Sequence, residues 1–278
     1  DAENEFVHLA LADDGTFRLT DKKTGRITGS LNYFLDSAEA GNQQRHFPPQ
    51  IDEVVSSKGI PARISRVVNN SLVTTFVVET ALELPSCYDW AQQRRSTVRN
   101  SLPAVSRITM RAGDPAVEVE TTIDNTVKDH FLRVCFDSGI DAETTHTGAV
   151  FDVSEHPTKA SCNGKWQGDE LKRHHQHLFM DISDDKQGFA VLNDTLRDYQ
   201  ILDAETGTIA QSLVRAFRLR IPVDNRLFKE YPGDESTQSL GQHVFRYGLM
   251  PHAGPWEDGG VMGRATEFST PVRVAQIG

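Results

Sequence analysis

Three histidines fall within four positions of the stretch RHHQHLFMD, residues 173–181: His174, His175 and His177. Imidazole is a common zinc ligand, but a closed site needs about four converging donors, and these usually include a Cys, Asp or Glu from another element. If a strand over 178–182 starts near His175, then His175 and His177 face one way and His174 the other, because side chains alternate along a strand. Regular geometry then lets at most two of the three share a metal. A hydrogen-bonded junction between loop and strand is the simpler account of the run.

Other familiar chemistries lack their motifs. There is no GxSxG elbow for a nucleophilic serine, no P-loop, and no strand–GxGxxG–helix unit for a dinucleotide. Carboxylates cluster at Asp181, Asp184 and Asp185, at Asp169 and Glu170, and at Glu257 and Asp258. A carboxylate pair can hydrolyse a glycoside, but only its separation in space decides that, and sequence proximity does not supply it. The loop GLMPHAGPWEDGG, residues 248–260, is more distinctive. A strand is expected to end at Met250, after which Pro251, Gly254 and Pro255 impose an irregular path. His252 and Trp256 are its candidates for sugar contact, since an indole offers an apolar face with a polar edge. The alternative for Trp256 is packing beneath its own loop.

The elements that would position these residues are strands from end to end. FVHLALADDGTFRLTD reads as a hairpin turning at Asp13–Gly15, RISRVVNNSLVTTFVVETALEL as a second turning at Asn69–Ser71, and SRITMRAGDPAVEVETTIDN as a third closed by Gly113, Asp114 and Pro115. In the last, Val117, Val119 and Thr121 alternate with Glu118, Glu120 and Thr122, which gives one buried and one wet face. Further strands are expected in HFLRVCFDSGI, HLFMDISD, GFAVLND, TIAQSLVRAFRLRI and HVFRYGLMPH. Only DWAQQRRSTV hints at a turn or two of helix. With no internal repeat and no linker, the reading is a single all-β domain over 1–278, a large antiparallel β-sandwich or barrel.

The chain has 278 residues, with 29 Lys and Arg against 39 Asp and Glu, a formal net charge of −10. Such a surface repels phosphate backbones, which argues against nucleic acid as a partner. No apolar run approaches the roughly 20 residues of a membrane helix. Cys87, Cys135 and Cys162 form no CxxC pair and read as reduced thiols of a cytoplasmic protein. The sequence opens DAENEF without Met or signal peptide and stops at TPVRVAQIG. It is expected to be a piece of a longer polypeptide.

YGLMPHAGPWED, with Tyr247, Pro251, His252, Ala253, Gly254 and Trp256, resembles the PHAGDW stretch in the C-terminal β-region of glycoside hydrolase family 38, the α-mannosidases. Further resemblances follow in order along almost the whole chain. NEFVHLALADDGTFRLTDKKTG looks like that region's opening hairpin, from Asn4, Glu5 and Phe6, and LNYFLDSAEAGNQQRHFPPQ like its next segment. DNTVKDHFLRVCFDSGI is similar through Asp124, Asn125, Asp129, His130 and Arg133, and GFAVLNDTLRDYQI through Gly188, Phe189, Asn193 and Tyr199.

The resemblance implies a galactose-mutarotase-like supersandwich that belongs to a retaining, zinc-dependent, bacterial-type α-mannosidase. Nothing here resembles the family's catalytic barrel with its His-x-Asp motif. The zinc and the nucleophilic Asp are therefore expected in an N-terminal catalytic domain outside this chain, with no metal site and no cofactor in the chain itself. The chain would pack on that domain, shape the rim that receives α-mannosides, and be inactive alone. By the same resemblance Arg215 and Gln44 approach substrate, and the alternative for Arg215 is a cross-strand ion pair. The family's Gly-Asp-Glu-Tyr in the rim loop over 41–47 is replaced here by Gly41, Asn42, Gln43 and Gln44, and Pro255 stands where PHAGDW has Asp. Separated from its barrel, the domain would expose apolar surface and self-associate as a homo-oligomer. Two other functions compete: a free-standing carbohydrate-binding module using Trp256, Trp166 or Trp90, and a mutarotase-like epimerase drawing on His130, His175 or His177 with Glu118 or Glu120.

Overall fold

In the computed structural model, residues 1–159, 173–224, 227–270, 272 and 275–276 are described. Two large antiparallel sheets account for most of them. In spatial order the first sheet is β1 (Ala2–Glu3), β2 (Val7–Leu11), β3 (Phe17–Asp21), β4 (Leu31–Ala38), β12 (His130–Asp137), β19 (Thr208–Ala216), β18 (Asp198–Asp203) and β15 (Arg173–His175), and β5 (Val55–Ser56) also pairs with β4. The second runs β14 (Asp152–Pro157), β13 (Thr144–Ala149), β16 (Phe179–Ser183), β17 (Gln187–Asn193), β22 (Gly241–Ala253), β11 (Val117–Asn125), β10 (Arg99–Arg111), β7 (Val73–Pro85) and β6 (Arg63–Asn69). Two small ribbons stand apart: β8 (Tyr88–Asp89) with β9 (Arg94–Arg95), and β20 (Arg220–Asp224) with β21 (Leu227–Glu230). The architecture is the expected antiparallel β-sandwich, and all three expected hairpins form with their turns in place.

The sheets meet through one continuous apolar core. Leu9, Leu19, Phe34, Val134 and Phe136 from the first pack against Val78, Leu82, Ile108, Val119 and Leu249 from the second. A polar chain crosses this core. The Tyr247 hydroxyl, fully buried on β22, bonds Asn32 Oδ1 on β4 and lies 2.8 Å from Thr121 Oγ1 on β11. Thr121 in turn lies 3.0 Å from Ser106 Oγ, and Asn32 Nδ2 reaches the same Ser106 at 3.3 Å. Asn32 holds φ at 67°, a conformation that asparagine tolerates better than most residues.

Three local expectations are corrected. The run HHQH does not lie on one strand: His174 and His175 sit on β15 in the first sheet, and Leu178, at φ 70°, turns the chain into β16 of the second. The histidines mark a crossing between sheets. Second, β22 does not stop at Met250 but continues through Pro251 and His252 to Ala253. Its neighbour β11 begins opposite Leu249, so Pro251 has a strand on one side only, an edge-like setting that tolerates proline. Third, DWAQQRRSTV forms the β8–β9 ribbon, whereas α1 (Val261–Ser269) is a helix that the sequence reading missed. Val261, Ala265 and Phe268 carry the helical spacing and pack with Phe179, Leu192 and Met250 on the outer face of the second sheet.

The polar crossing predicts that Tyr247→Phe lowers stability by about 1–2 kcal/mol, because Thr121 and Asn32 each lose a buried partner. Urea unfolding tests this. The midpoint should fall with the slope unchanged, and an unaltered midpoint would show that the link contributes nothing.

Candidate functional site

At one end of the sandwich β4 finishes at Ala38, β12 starts at His130 and β19 finishes at Ala216, with His130 in register with both alanines. The chain leaves β4 into a loop that folds around a single carboxylate. Glu39 is fully buried. Its Oε1 accepts the backbone N–H groups of Gly41 at 2.7 Å and Phe47 at 3.2 Å, and its Oε2 lies 2.6 Å from His46 Nδ1 and accepts Arg215 Nη1 at 3.1 Å. Gly41 has to be glycine here, since a Cβ would come within 2.0 Å of the Arg45 carbonyl oxygen. The Asn42 side chain closes the turn by accepting the N–H groups of Gln44 at 2.8 Å and Arg45 at 3.1 Å.

The Arg215 guanidinium grips this loop, donating to Glu39, to the Asn42 carbonyl at 3.0 Å and to the Gln43 carbonyl at 3.2 Å, so it forms the ion pair that was the alternative reading of this residue. Gln44 sits in the same turn with its side chain exposed. The two residues are thus neighbours, one holding the loop and the other displayed by it.

Two further buried carboxylates organise the same end. Asp36, fully buried, pairs with His130 Nδ1 at 2.5 Å and with Arg95. Arg95 also donates to the Glu53 carbonyl at 2.9 Å, which ties down the far side of the rim loop. Asp129 exchanges two bonds of 2.8 Å with Gln238 and accepts Trp90 Nε1 at 3.1 Å. Burial raises the Asp129 pKa above the ordinary carboxylate value, against the lowering effect of Gln238 and Trp90. Arg218 and Arg220 lie over the Trp90 ring at 5.1 and 5.3 Å, which anchors the β20–β21 ribbon to this end.

His252 and Trp256 belong elsewhere. β22 starts at the rim end, where Asn125 bonds the Gln238 and Ser239 carbonyls just ahead of the strand, and it carries His252 to the opposite end. At about 3.3 Å per residue, the eleven steps from Gly241 to His252 span roughly 36 Å, so the four candidates cannot form one site. His252 is buried, its Nε2 lies 2.7 Å from Asp181 Oδ2, and its ring is so closely flanked by Gly188 and Gly259 that a Cβ on either would collide with it. Trp256 is half-buried and packs against Phe179 and the helix cluster. The sequence reading did not single out Glu39, Asp36 or Asp129. Their one signal was placement, as acids at strand ends within segments matching the family pattern.

Among the described residues, no three His, Cys, Asp or Glu side chains could jointly hold a metal ion. Cys162, Trp166, Asp169 and Glu170 lie outside the described residues. His174 instead stacks on His156, ring centroids 4.3 Å apart, and so joins the edge strands β15 and β14 of the two sheets. Burial, then repulsion from His156 and His175, lowers the His174 pKa from 6.5 to about 4. Arg173, which neighbours the stack, is 3.6 Å from Asp198.

A histidine whose folded pKa is depressed contributes stability above its unfolded value, and that stability is lost as pH falls through the folded one. The protein should therefore weaken between pH 6.5 and about 4. His174→Phe, which keeps a ring in the stack, should flatten this acid limb. Urea midpoints at pH 7 and pH 5 test it, and equal losses in both proteins would reject the assignment to His174.

Comparison with known proteins places this geometry in a family. Residues 2–219 match the model for the glycosyl hydrolases family 38 C-terminal domain. A protein of Halalkalibacterium halodurans named "Putative mannosylglycerate hydrolase" is 26% identical over 267 residues, covering 91% of this chain and 28% of the relative. Human alpha-mannosidase 2C1 is 25% identical over 165 residues, covering 59% of this chain and 14% of the relative. The crystal structure of an alpha-mannosidase from Enterococcus faecalis V583 superposes with a TM-score of 0.87 at 26% identity, covering 97% of this chain and 31% of that one. The chain spans less than a third of the length of each of these proteins. Carried by a match over most of its length, this chain belongs to the family of glycosyl hydrolases family 38 C-terminal domains.

Proposed function

We propose that the chain works as the C-terminal β-domain of a larger retaining α-mannosidase, supporting a catalytic domain outside it and forming part of the rim that receives the α-mannoside. The observation that carries this reading is the superposition along 97% of the chain onto less than a third of an alpha-mannosidase. The charged end of the sandwich supports it too, since buried carboxylates there hold a loop of exposed amides. Zinc and the nucleophile would be supplied by the catalytic domain, and no step of the chemistry is assigned to residues of this chain. Gln44 is the rim residue proposed to face substrate, with Arg215 holding it in place.

The surface that meets the catalytic domain is proposed to be this same end. Phe47 and Ile51 of the rim loop are exposed, as are Val223, Leu227 and Phe228 of the β20–β21 ribbon. Without a covering partner, this apolar surface would favour self-association. A cytoplasmic setting is proposed from the free thiols of Cys87 and Cys135, the latter fully buried with its pKa pushed up to about 12 by that burial. Among the described residues, no helix is long and apolar enough to cross a membrane.

The two competing functions find less support. Trp90 has two guanidinium groups over its ring and Trp256 is packed beneath its loop, so neither presents a free indole platform to a sugar. Of the epimerase candidates, His130 pairs with Asp36 in the first sheet while Glu118 pairs with Arg246 in the second.

Two measurements test the proposal. Hydrolysis of an aryl α-mannoside should be absent for this chain at any zinc concentration and present for the full-length polypeptide containing it. Zinc-dependent turnover by the chain alone, or an inert full-length protein, would overturn the reading. Leu227→Asp with Phe228→Asp should leave the chain's own unfolding midpoint nearly unchanged, since both side chains are exposed, yet lower the melting temperature of the full-length protein. Equal effects on the two would remove the ribbon from the interface.

A further inference from the structure

A cavity of about 380 Å³ opens between edge strands of the two sheets, with Thr147, Ser154 and His156 of β13 and β14 on one side and Arg173, His174 and Gln176 of the β15 segment on the other. Its size falls within the roughly 300–1,000 Å³ typical of small-molecule sites. The chain has a net charge of −10, yet among the described residues lining this cavity none is Asp or Glu. Arg173 supplies a permanent positive charge there. Asp198 lies 3.6 Å from its guanidinium, longer than an ordinary hydrogen bond, and Arg173 Nε is buried without a partner. His156 and His174 are neutral at pH 7, since burial and then neighbouring imidazoles lower both pKa values. Their rings stack at 20° and present faces to each other, so their nitrogens do not converge on a cation. Gln176 is the most telling wall residue. It is only 3% exposed, its backbone N–H is tied to the Arg197 carbonyl at 2.9 Å, and neither its side-chain oxygen nor its nitrogen has a hydrogen-bond partner. A buried amide left in this state costs stability. It is complementary to a group that donates and accepts at once, as a hydroxyl does.

We infer that this cavity binds a small anion that carries a hydroxyl beside its carboxylate or phosphate group, with Arg173 answering the charge and Gln176 the hydroxyl. The two roles follow from what each side chain can offer. A guanidinium fork matches the paired oxygens of either anion, and the amide has an oxygen to accept and an NH2 to donate. Thr147 and Ser154 add hydroxyls to the same wall. None of these residues takes part in holding the rim loop, and binding here requires no turnover of a mannoside.

The test is titration calorimetry on the full-length protein with two pairs of probes, lactate against propionate and glycerol 3-phosphate against inorganic phosphate. In at least one pair the hydroxylated member should bind about 10-fold more tightly than its partner, and the pair that shows this identifies the anionic group. Arg173→Gln should weaken that binding by about 10-fold or more, because a charge-assisted bond is lost. Gln176→Leu should erase the preference for the hydroxylated member. It should also leave the melting temperature equal or higher, since it removes two buried polar atoms that have no partner. No heat from either hydroxylated anion at about 10 mM overturns the inference, and so does binding that both variants retain in full. A lower melting temperature for a folded Gln176→Leu protein also overturns it, because the amide would then be satisfied within the protein.

Discussion

Each of the two large sheets has one face that water disfavours, and the fold rests on burying those faces against each other. Net stability in a domain is only about 5–15 kcal/mol after chain entropy is opposed. Within that margin a polar group in the core has to be matched. The Asn32, Ser106, Thr121 and Tyr247 chain satisfies this by linking side chains of both sheets. Directional bonds of this kind also set the register of one sheet over the other, which apolar contacts alone leave loose.

The ends of the sandwich face a different problem, because strands finish there and loops must turn without a ladder to satisfy them. At the rim end the solution is buried acid. Asp36, Glu39 and Asp129 sit one after another at the tips of β4 and β12, and each gathers backbone donors or side chains from separate segments. Replacing buried ion pairs with apolar residues is often neutral or stabilising in proteins. What these pairs supply here is shape: a carboxylate that accepts four donors admits one arrangement of the loop that provides them.

The opposite end uses the same device for another purpose. His252 and Asp181 form a buried pair beneath the loop leading to α1, and two glycines leave room for the imidazole ring. The helix then covers the outer face of the second sheet. Between the two ends, the His156–His174 stack bridges the edge strands of both sheets. Histidine thus serves three separate structural roles in one chain, as a loop anchor at His46 and His130, as a cover support at His252, and as a seam at His174.

The strands were legible because alternation at period two is a local property: Val117, Val119 and Thr121 declare a buried face without reference to anything else in the chain. Hairpin turns at Gly15, Asn70 and Gly113 were legible for the same reason, since a turn's requirement for particular residues is met within four positions. The family resemblance narrowed a sandwich or barrel to a sandwich. The helix escaped notice because Val261, Ala265 and Phe268 make only two turns of periodicity in a stretch rich in glycine. The site was legible only in part. The sequence does not reveal that Arg215 grips the loop displaying Gln44, nor that His252, near the far end of β22, and Trp256 beyond it lie at the opposite end of the sandwich. Which residues converge is settled by strand order and register, pairings between segments far apart in the chain, as for Glu39 and Arg215 at a separation of 176 positions. Such distant pairings follow from the packing of whole sheets, and no local pattern of residues encodes them.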